Sequence, residues 1–534
     1  MKRQFLISSI AIFLLIALIQ LIWPPIAWSL MVVIPLFLIG VNDMLQKKHA
    51  IRRNFPLIGN FRYLLEGIGP EINQYFIESN ASGVPFSREL RSLVYQRAKN
   101  QLDTLPFGTQ KNVNEVGYEW VNHSLSPVRV DPKTMRVLIG GADCRQPYSA
   151  SILNISAMSY GALSKNAVLA LNKGAKNSGF AQNTGEGGLT QHHLNNGGDL
   201  IWQIGTGYFG ARTLEGKFDP DLFRKKASSA HVKMIEIKLS QGAKPGHGGI
   251  LPAAKVTEEI SEIRNVPLGK DVNSPPAHSA FSTPKQLLSF VKQLRDLSEG
   301  KPIGFKLCIG KRREFLAICK AMVETGILPD YIVVDGGEGG TGSAPLEFSN
   351  RIGAPLTEAL IFVHNTLTGF DLRSKIRVIC SGKIISGFDV VKNLAIGADL
   401  CYSARGMMLA IGCIQSLKCN TNTCPTGVAT QDPHYMQALD IEDKAKRTSS
   451  FHDSTVESAA EMIGAMGLED TRELRPWHRI RRTGFTEIRN YSELFEYVEP
   501  GAFLNEPYPE KWERAITSAS SESFKNYHVI GPEE

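Results

Sequence analysis

Cysteine is scarce in this sequence, and none of its eight cysteines precedes Cys144. A dense early framework of cysteines is typical of small secreted domains held by disulfides, so its absence excludes that class. Net charge is also low, because 59 Lys and Arg are nearly balanced by 52 Asp and Glu, which leaves +7. Part of this surplus flanks an apolar N-terminus, so the charge does not indicate a nucleic-acid partner.

Charged residues are absent altogether from Gln4 to Asn42. A bilayer core needs about 20 apolar residues per helix, and the run at about 5–23 has that length. Pro24 and Pro25 interrupt the run, because proline lacks an amide donor, and a second apolar run follows at about 26–41. Basic residues flank both sides of the pair: Lys2, Arg3, Lys47, Lys48, Arg52 and Arg53. This pattern predicts a transmembrane hairpin over residues 1–45, in the inner (cytoplasmic) membrane, with the catalytic part facing the cytoplasm.

Two other interpretations of this N-terminus stay open. One is a single span followed by a re-entrant or interfacial second segment. The other is a cleaved signal peptide, which is disfavoured because the apolar stretch is too long and no small-residue cleavage site follows it.

The rest of the sequence predicts an α/β protein in three regions. These are an N-terminal helical collar at 46–130, a barrel at 131–435 and a helical C-terminal extension at 436–534. Within the barrel region, short apolar runs alternate with amphipathic helical patterns such as 165–178 and 284–297. The predicted strands are 152–157, 180–183, 201–204, 232–237, 303–307, 331–334, 376–380 and 399–402. Eight such units are typical of a parallel (β/α)8 TIM barrel buried on both faces of its sheet.

Polar or glycine-rich residues follow nearly every predicted strand. They lie at 156–159, 183–188, 238–241, 306, 335–337, 381–383 and 403–405. Active sites of this barrel form at the C-terminal ends of its strands, so these groups are the candidate site.

Three cysteines, Cys413, Cys419 and Cys424, follow the pattern C-x5-C-x4-C. Zinc sites usually show paired C-x2-C spacings and four ligands, whereas three thiols at wider spacings suit an iron–sulfur cluster better. Unrelated buried thiols are the alternative. The other five cysteines are isolated, and the three that lie in or beside predicted strands are expected to be core residues.

The cysteine segment 412–431, GCIQSLKCNTNTCPTGVATQ, resembles the cysteine loop of the glutamate synthase large chain. Five further segments resemble the same family in the same order. They are ISAMSYGALS at 155–164, NTGEGG at 183–188, KLSQGAKPGHGGILP at 238–252, DGGEGGTGSAP at 335–345 and SGKIISGFDV at 381–390. The resemblance covers residues 150–435 and implies an FMN-binding barrel with a 3Fe–4S cluster on the three cysteines.

The resemblance also assigns cofactor residues. Those implied for FMN are Met158, Ser159, Lys306, Asp335, Gly336, Gly337, Ser381, Gly382, Lys383, Ser403, Ala404 and Arg405. Loops after the seventh and eighth strands commonly cradle a phosphate, which suits 381–383 and 403–405, although such segments can be ordinary glycine turns. Lys306 would place a cation near the flavin N1 and C2 carbonyl, or it simply caps a strand.

The substrate group implied by the family consists of Glu186, Lys238, Gln241 and Lys244, with His247 beside it. Two lysines and an amide can pair with carboxylates, and Glu186 could orient or protonate an imine nitrogen, so Glu186 and Lys244 are the predicted catalytic residues. A solvated polar loop is the alternative. His247 and Ile250 depart from the family pattern of an acidic residue and a glutamine, which leaves a changed substrate open.

The predicted activity is that of an oxidoreductase acting on CH–NH2 donors. It would reduce 2-iminoglutarate, formed from 2-oxoglutarate and ammonia, to L-glutamate with electrons from a ferredoxin or a reductase subunit. Reversal is chemically allowed. The alternatives are a related amine, as in N-methylglutamate synthesis, and a non-enzymatic electron-transfer subunit of a membrane.

Two features of the wider family are expected to be absent. The family amidotransferase uses an N-terminal cysteine, and no cysteine precedes Cys144, so we expect ammonia to be free or to come from another subunit. The GxGxxG match at 205–210 has no acidic partner after a following strand and is predicted to be a loop rather than an NAD(P) site.

Overall fold

The computed structural model describes residues 1–525 and divides the chain into two units, Met1–Glu89 and Leu90–Glu534. The predicted collar at 46–130 is therefore shared between the two units. Of the predicted C-terminal extension, residues 526–534 lie outside the described residues.

The first unit begins with two long apolar helices. The first helix spans Lys2–Gln20, a 3-10 helix spans Pro24–Ser29, and the second long helix spans Leu30–Leu45. By length and composition, the segments Lys2–Gln20 and Pro24–Leu45 are able to cross a membrane. The break between them falls at the two prolines, because a proline cannot donate the hydrogen bond that would continue the first helix.

Aromatic rings hold these two helices side by side. The ring of Phe37 lies 6.1 Å from that of Phe5 and 5.5 Å from that of Phe13, measured between centroids. Gly40 lets the helices approach, since a β-carbon there would lie 2.1 Å from the Phe5 ring. The two segments therefore form a helical hairpin.

The remainder of the first unit is helical. A short helix, Ala50–Asn54, is followed by a longer one, Ile58–Ile72, and a π-helical turn, Asn73–Ile77. Between the first two, Leu57 takes a positive φ of 65° and turns the chain sharply.

The second unit is built on a closed barrel of eight parallel strands, which confirms the predicted fold. In chain order the strands are β1 Leu153–Ile155, β2 Ala181–Asn183, β3 Asp199–Ile204, β4 Val232–Lys238, β5 Ile303–Leu307, β6 Tyr331–Asp335, β7 Arg377–Ser381 and β8 Leu400–Ser403. Each overlaps a strand predicted from the sequence. The ring closes where β8 pairs with β1, with Ser403 opposite Ile155.

The N-terminal end of the barrel is filled by an antiparallel ribbon of Arg136–Ile139 and Tyr148–Ser151. Ile139, Tyr148 and Ala150 of this ribbon pack against residues near the starts of barrel strands, such as Ala181 and Tyr331. Because this end is closed by apolar packing, the polar C-terminal ends of the strands form the other, functional end.

Helices surround the barrel, and half of them begin at a side-chain cap. Their bounds are Lys165–Ser178, Gln191–Leu194, Pro220–Ala227, Glu258–Arg264, Pro284–Leu297, Arg312–Thr325, Leu346–Arg351, Leu356–Gly369, Gly387–Leu394 and Arg405–Ala410. At the first of these, the Ser164 hydroxyl accepts from the amide of Ala167 at 3.2 Å. Such caps satisfy amides that a helix start leaves without partners.

The C-terminal region is helical and packs on the barrel. Its helices are Pro433–Met436, Ile441–Ala465, Tyr491–Leu494 and Glu510–Ser518. The 25-residue helix Ile441–Ala465 crosses Lys165–Ser178 closely, since a β-carbon at Gly174 would lie 2.5 Å from Thr448. Short strands complete the unit: Glu119–Trp120, Ile250–Leu251, Val272–Asn273, Ile480–Arg482 and Ile488–Asn490. The helix Arg88–Ala98 runs across the boundary between the two units.

Candidate active site

Polar side chains occupy the interior of the barrel below its C-terminal rim. The carboxyl of Glu236 in β4 is completely buried and accepts from Asn183 of β2 at 3.0 Å and from Gln203 of β3 at 2.6 Å. Burial raises the pKa of Glu236, although the Lys306 ammonium opposes the rise. This polar layer lies between the apolar ribbon that fills the N-terminal end of the barrel and the charged groups near the rim.

An ion pair lies on this layer between β5 and β6. The Lys306 ammonium is 3.2 Å from the Asp335 carboxylate, and both side chains are buried. Asp335 also accepts from the amide of Gly242 at 2.8 Å and from the Ser381 hydroxyl. Asp335 thus joins the predicted site residues Lys306 and Ser381, and it also holds the loop after β4 through Gly242.

The predicted substrate residues lie together at the ends of β2 and β4. The Lys238 ammonium is 2.6 Å from Oε1 of Glu186 and 2.5 Å from Oε1 of Gln241. Burial raises the pKa of Glu186, but the charges of Lys238, Lys244 and Arg264 and the hydrogen bond from Lys238 together outweigh it, so the net shift is downward and the carboxylate is ionised. The pair is therefore a preformed arrangement of opposite charges rather than a solvated polar loop.

These residues line one small pocket at the rim. Its walls are Glu186, Thr206, Leu239, Ser240, Gly246, Gly248, Pro276 and the polar side chains Lys238, Gln241 and Lys244. Four of the five residues that the sequence assigned to substrate are present, and the fifth, His247, is not part of the lining. A pocket with two ammonium groups suits a small ligand that carries carboxylates.

Lys244 is the less tightly paired of the two lysines. Its ammonium donates to the carbonyl of Ser343 at 2.6 Å, and the side chain is buried. Burial, together with the nearby Lys238 ammonium, lowers the pKa of Lys244 to about 8. A group with that pKa is protonated at neutral pH and loses its charge slightly above it.

Two glycines hold Glu186 in place. A β-carbon at Gly249 would lie 2.6 Å from Oε1 of Glu186, and one at Gly205 would lie 2.7 Å from its Cβ. Gly205 belongs to the GxGxxG-like segment, which follows β3 as a loop. The backbone of that segment therefore lies close to Glu186 at Gly205, where a residue with a β-carbon would not fit. The motif alone does not indicate this role.

His247 is turned toward a neighbouring ring rather than into the pocket lining. Its imidazole packs edge-on against Phe348, with the ring centroids 5.0 Å apart. Its Nδ1 is buried without a hydrogen-bond partner among the described residues. The structure therefore does not bring His247 into the Glu186–Lys238 group.

The residues predicted to hold a phosphate lie at the ends of β7 and β8. Gly382 and Lys383 both have positive φ, 145° and 53°, so the chain turns sharply after β7. The Ser403 hydroxyl donates to the carbonyl of Ile384 at 2.7 Å, which joins the two loops. Burial, and next the like charge of Arg405, lower the pKa of Lys383. Two cations that repel each other in this way would be stabilised by an anion between them. The phosphate of FMN would be such an anion.

The other predicted flavin residues lie on neighbouring loops of the same rim. Met158 and Ser159 follow β1 and approach Gly185, where a β-carbon would lie 2.5 Å from the Ser159 amide nitrogen. Gly336 and Gly337 follow Asp335, and Ala404 precedes the helix Arg405–Ala410. These backbone segments surround the polar floor formed by Lys306 and Asp335.

The three-cysteine loop is folded against the rim. Asn422 fixes the loop by accepting from the amide of Gln431 at 2.7 Å and donating to the carbonyl of Ala254 at 2.9 Å. The Gln431 side chain donates to the carbonyls of Gly161 and Leu163, at 3.1 and 2.7 Å, so the loop is tied to the segment after β1.

The thiols of this loop influence one another. Burial raises the pKa of Cys413 to about 12, and Cys419 and Cys424 add to the rise. Among residues 1–525, no three His, Cys, Asp or Glu side chains are grouped as the ligands of a metal ion. In a multi-iron cluster each cysteine thiolate can bind a different iron. The three thiolates therefore need not converge on one point, as the ligands of a single ion must. The donor set fits such a cluster chemically.

Sequence reasoning missed two buried cations beside the site. Arg264 donates to the carbonyl of Tyr160 at 2.8 Å and lies close enough to Glu186 to lower its pKa. Lys255 donates to the carbonyl of Ala162 at 2.9 Å and lies beside Cys419 and Cys424. Arg264 lies on a helix without a motif and gave no local signal. Lys255 lies three residues beyond the segment 238–252, and only folding brings it to the cysteines.

Comparison with known proteins matches this geometry to a family. The family model described as the conserved region in glutamate synthase matches residues 121–469. The chain belongs to the glutamate synthase family. It is accordingly an oxidoreductase of the glutamate synthase type.

Several curated members of the family are similar to this chain. The glutamate synthase large subunit-like protein YerD of Bacillus subtilis is 36% identical over 497 residues, which cover 85% of this chain and 94% of YerD. The archaeal glutamate synthase [NADPH] of Methanocaldococcus jannaschii is 36% identical over 335 residues, 62% of each chain. The match to the archaeal protein thus leaves more than a third of each sequence outside it.

Solved structures give more distant likenesses. A mandelate oxidase variant with an FMN adduct has a TM-score of 0.39 and 16% identity, covering 78% of this chain and 98% of that one. Flavocytochrome b2 with pyruvate bound has a TM-score of 0.40 and 13% identity, covering 79% and 85%. The barrel assignment rests on the strand pairing within this chain and not on these distant likenesses.

Proposed function

We propose that this chain reduces 2-iminoglutarate, formed from 2-oxoglutarate and ammonia, to L-glutamate, using FMN and a 3Fe–4S cluster. The observation that carries the proposal is the pocket in which Glu186, Lys238, Gln241 and Lys244 meet. A five-carbon dicarboxylate needs cationic groups for its carboxylates and a polar group near its imine nitrogen. This pocket offers two ammonium groups, Lys238 and Lys244, and the carboxylate of Glu186 as the polar group.

The charges in the pocket suggest a division of roles. Lys238 is already paired with Glu186, so Lys244 is the ammonium more available to a substrate carboxylate. Because the pKa of Glu186 is lowered, this group orients the imine nitrogen as a carboxylate rather than donating a proton to it. Lys244, with a pKa of about 8, is protonated at neutral pH and suited to proton donation. Reduction of the C=N bond adds a hydride at carbon and a proton at nitrogen, which these roles accommodate.

The cofactor residues retain the assignments made from the sequence. Ser381, Lys383, Ser403 and Arg405 would hold the FMN phosphate, and Lys306 would face the ring with Asp335 fixing its position. Cys413, Cys419 and Cys424 would hold the cluster. When bound, FMN would supply the hydride and the cluster would pass single electrons to it from an external donor protein such as a ferredoxin or a reductase subunit.

The proposed location is the cytoplasmic face of the inner membrane. Support comes from the apolar hairpin, whose two segments are each able to span a bilayer, and from basic residues on both flanks.

The test is a steady-state assay of the detergent-solubilised holoprotein with 2-oxoglutarate, ammonia and reduced viologen. We expect a flavin spectrum, bound iron and formation of L-glutamate. Methylamine in place of ammonia tests the N-methylglutamate alternative. Protein that carries flavin and iron yet reduces neither the imine formed with ammonia nor that formed with methylamine would contradict the proposal. The matched control is Glu186→Gln, which should keep both cofactors and lose turnover.

A further inference from the structure

The helix Ile58–Ile72 carries an apolar stripe that its own unit leaves uncovered. Ile58, Phe61, Leu64, Leu65 and Ile68 are each between 42% and 65% exposed. Their spacing of three and four residues places them on one side of the helix. The following turn extends the stripe with Tyr75, Phe76 and Ile77, of which Phe76 is 85% exposed. A continuous apolar surface of this kind marks an interaction site.

The opposite side of the helix is the one that packs. A β-carbon at Gly59 would lie 2.9 Å from the Cα of Arg52, so the helix Ala50–Asn54 lies directly against it. The Arg52 guanidinium lies 4.4 Å from the centre of the Tyr63 ring, and the His49 ring lies 4.8 Å from the same ring. The apolar stripe therefore faces away from the rest of its unit.

Asp43 ties the start of this helix to the end of the apolar hairpin. Its Oδ2 accepts from the Leu57 amide at 3.1 Å and from the Asn60 side chain at 2.6 Å, and Asp43 is almost completely buried. Asp43 lies two residues before the end of the helix Leu30–Leu45. If that helix spans the bilayer, the helix Ile58–Ile72 begins at the membrane surface.

Basic residues occupy the short segment between the two helices. Lys47, Lys48 and Arg53 are exposed there, and Arg52 lies beside them. Clusters of this kind just outside a span are attracted to anionic lipid headgroups. The apolar helix thus starts at the depth in the membrane at which the phosphates of the lipid headgroups would lie.

We propose that residues 58–77 form an interfacial helix that lies on the bilayer, with its apolar stripe among the headgroups and upper acyl chains. The partner is a phospholipid surface. This inference rests on the proposed membrane anchoring, and it goes beyond it by assigning part of the predicted collar to the membrane. The 15-residue helix would run about 22 Å along the surface at 1.5 Å per residue, with its stripe about 5–10 Å deep in the boundary region.

The test uses the full chain in cell membranes, with a photo-reactive benzoylphenylalanine placed at one position at a time. The stripe position is Leu65, the matched control outside the stripe is its neighbour Glu66, and the hairpin position is Leu14. All three side chains are exposed, so the substitutions should not disturb packing. Adducts are identified by mass spectrometry as lipid, as peptide of the same chain or as a second copy.

The expected result is lipid adducts at positions 65 and 14, with several-fold fewer at position 66. Lipid at position 14 combined with barrel peptides or a second copy at position 65 would overturn the interfacial helix and leave the anchor standing. Equal lipid adducts at 66 and 65 would also overturn it, because the contact would then not be confined to the stripe. Absence of lipid at position 14 would remove the anchor, and the proposed inner-membrane location with it, whatever the enzymatic assay shows.

Discussion

At the scale of single residues, the carboxylate of Glu186 is closely surrounded. Lys238 pairs with it at 2.6 Å, and the backbones of Gly205 and Gly249 approach its side chain more closely than a residue with a β-carbon could. Its position therefore depends on backbone at two loops that are far apart in sequence. This makes glycine as important to the pocket as the charged residues.

Gly249→Ala should displace Glu186 without unfolding the chain. The added methyl would lie 2.6 Å from Oε1, and the end of a flexible side chain can yield where backbone cannot. Because displacement breaks the pair with Lys238, we expect kcat/KM for the 2-oxo acid to fall roughly 100-fold, as for other misplacements of about 1 Å. Circular dichroism and bound flavin should be unchanged.

The matched control for this variant is Gly310→Ala. A β-carbon at Gly310 would meet no heavy atom within 4 Å, so activity should stay near that of the natural chain. Equal activity in the two variants would show that the position of Glu186 does not matter.

Lys244 should make substrate affinity depend on pH. Its pKa of about 8 means that the ammonium is charged below that pH and neutral above it. We therefore expect the Kd of 2-oxoglutarate to rise as pH increases through about 8, by up to tenfold per unit beyond it. Equilibrium binding to the oxidised holoprotein measures this without the separate titration of ammonia.

Lys244→Arg supplies the control, because a guanidinium stays charged throughout this range. Its Kd should be independent of pH between about 7 and 9. A natural chain whose Kd is equally independent of pH would exclude Lys244 from carboxylate binding.

At the scale of elements, the loop 413–424 joins the barrel to its proposed cluster. Asn422 and Gln431 hold it to the segments after β1 and before the helix Glu258–Arg264. The loop therefore has a fixed path even though its own residues form no regular structure. On this path Cys419 and Cys424 lie near enough to Cys413 to raise the pKa of its thiol.

Cys424→Ser should remove the iron–sulfur cluster. A hydroxyl is a much poorer iron ligand than a thiolate, so we expect iron and acid-labile sulfide per chain to fall to a small fraction. Flavin content should remain, because the proposed FMN residues lie on other loops. Cys319→Ser is the control: Cys319 is buried in the helix Arg312–Thr325, and its replacement should leave iron content unchanged. Unchanged iron in Cys424→Ser would exclude the loop as the cluster site.

At the scale of the whole molecule, the chain combines an apolar helical unit with a barrel unit. The first unit carries most of the exposed large apolar side chains, including Leu14, Leu18 and Trp28. Surfaces of this kind are costly in water and favourable in lipid. In its described part, the barrel unit has a large buried apolar core and exposes large apolar side chains singly or in short groups, such as Leu102, Leu105 and Phe107.

Topology mapping should place both ends of the hairpin on one side. In inverted inner-membrane vesicles we expect trypsin to cleave after Lys47, Lys48 and the basic residues of the barrel unit. In intact spheroplasts the same sites should be protected. Cleavage of the barrel unit in spheroplasts would reverse the predicted orientation, and release of soluble protein by alkaline carbonate would contradict an integral anchor.

The sequence by itself determined the eight strands, the helical breaks at proline and the polar residues at the strand ends. These features depend on local periodicity and on backbone chemistry, which neighbouring residues decide. The candidate substrate group was predicted from the family resemblance instead, because Glu186, Lys238, Gln241 and Lys244 lie in segments that resemble the family, and the fold brings these segments to one rim.

Tertiary structure alone decided the remainder. Arg264 and Lys255 reach the site from a helix and a turn that carry no motif, and His247 turns toward Phe348 although its segment borders the pocket. The apolar stripe on Ile58–Ile72 is visible as a pattern, yet only the bonds from Asp43 place it at the end of the hairpin. Contacts between distant segments depend on how elements pack, and a sequence pattern records the faces of an element without recording its partners.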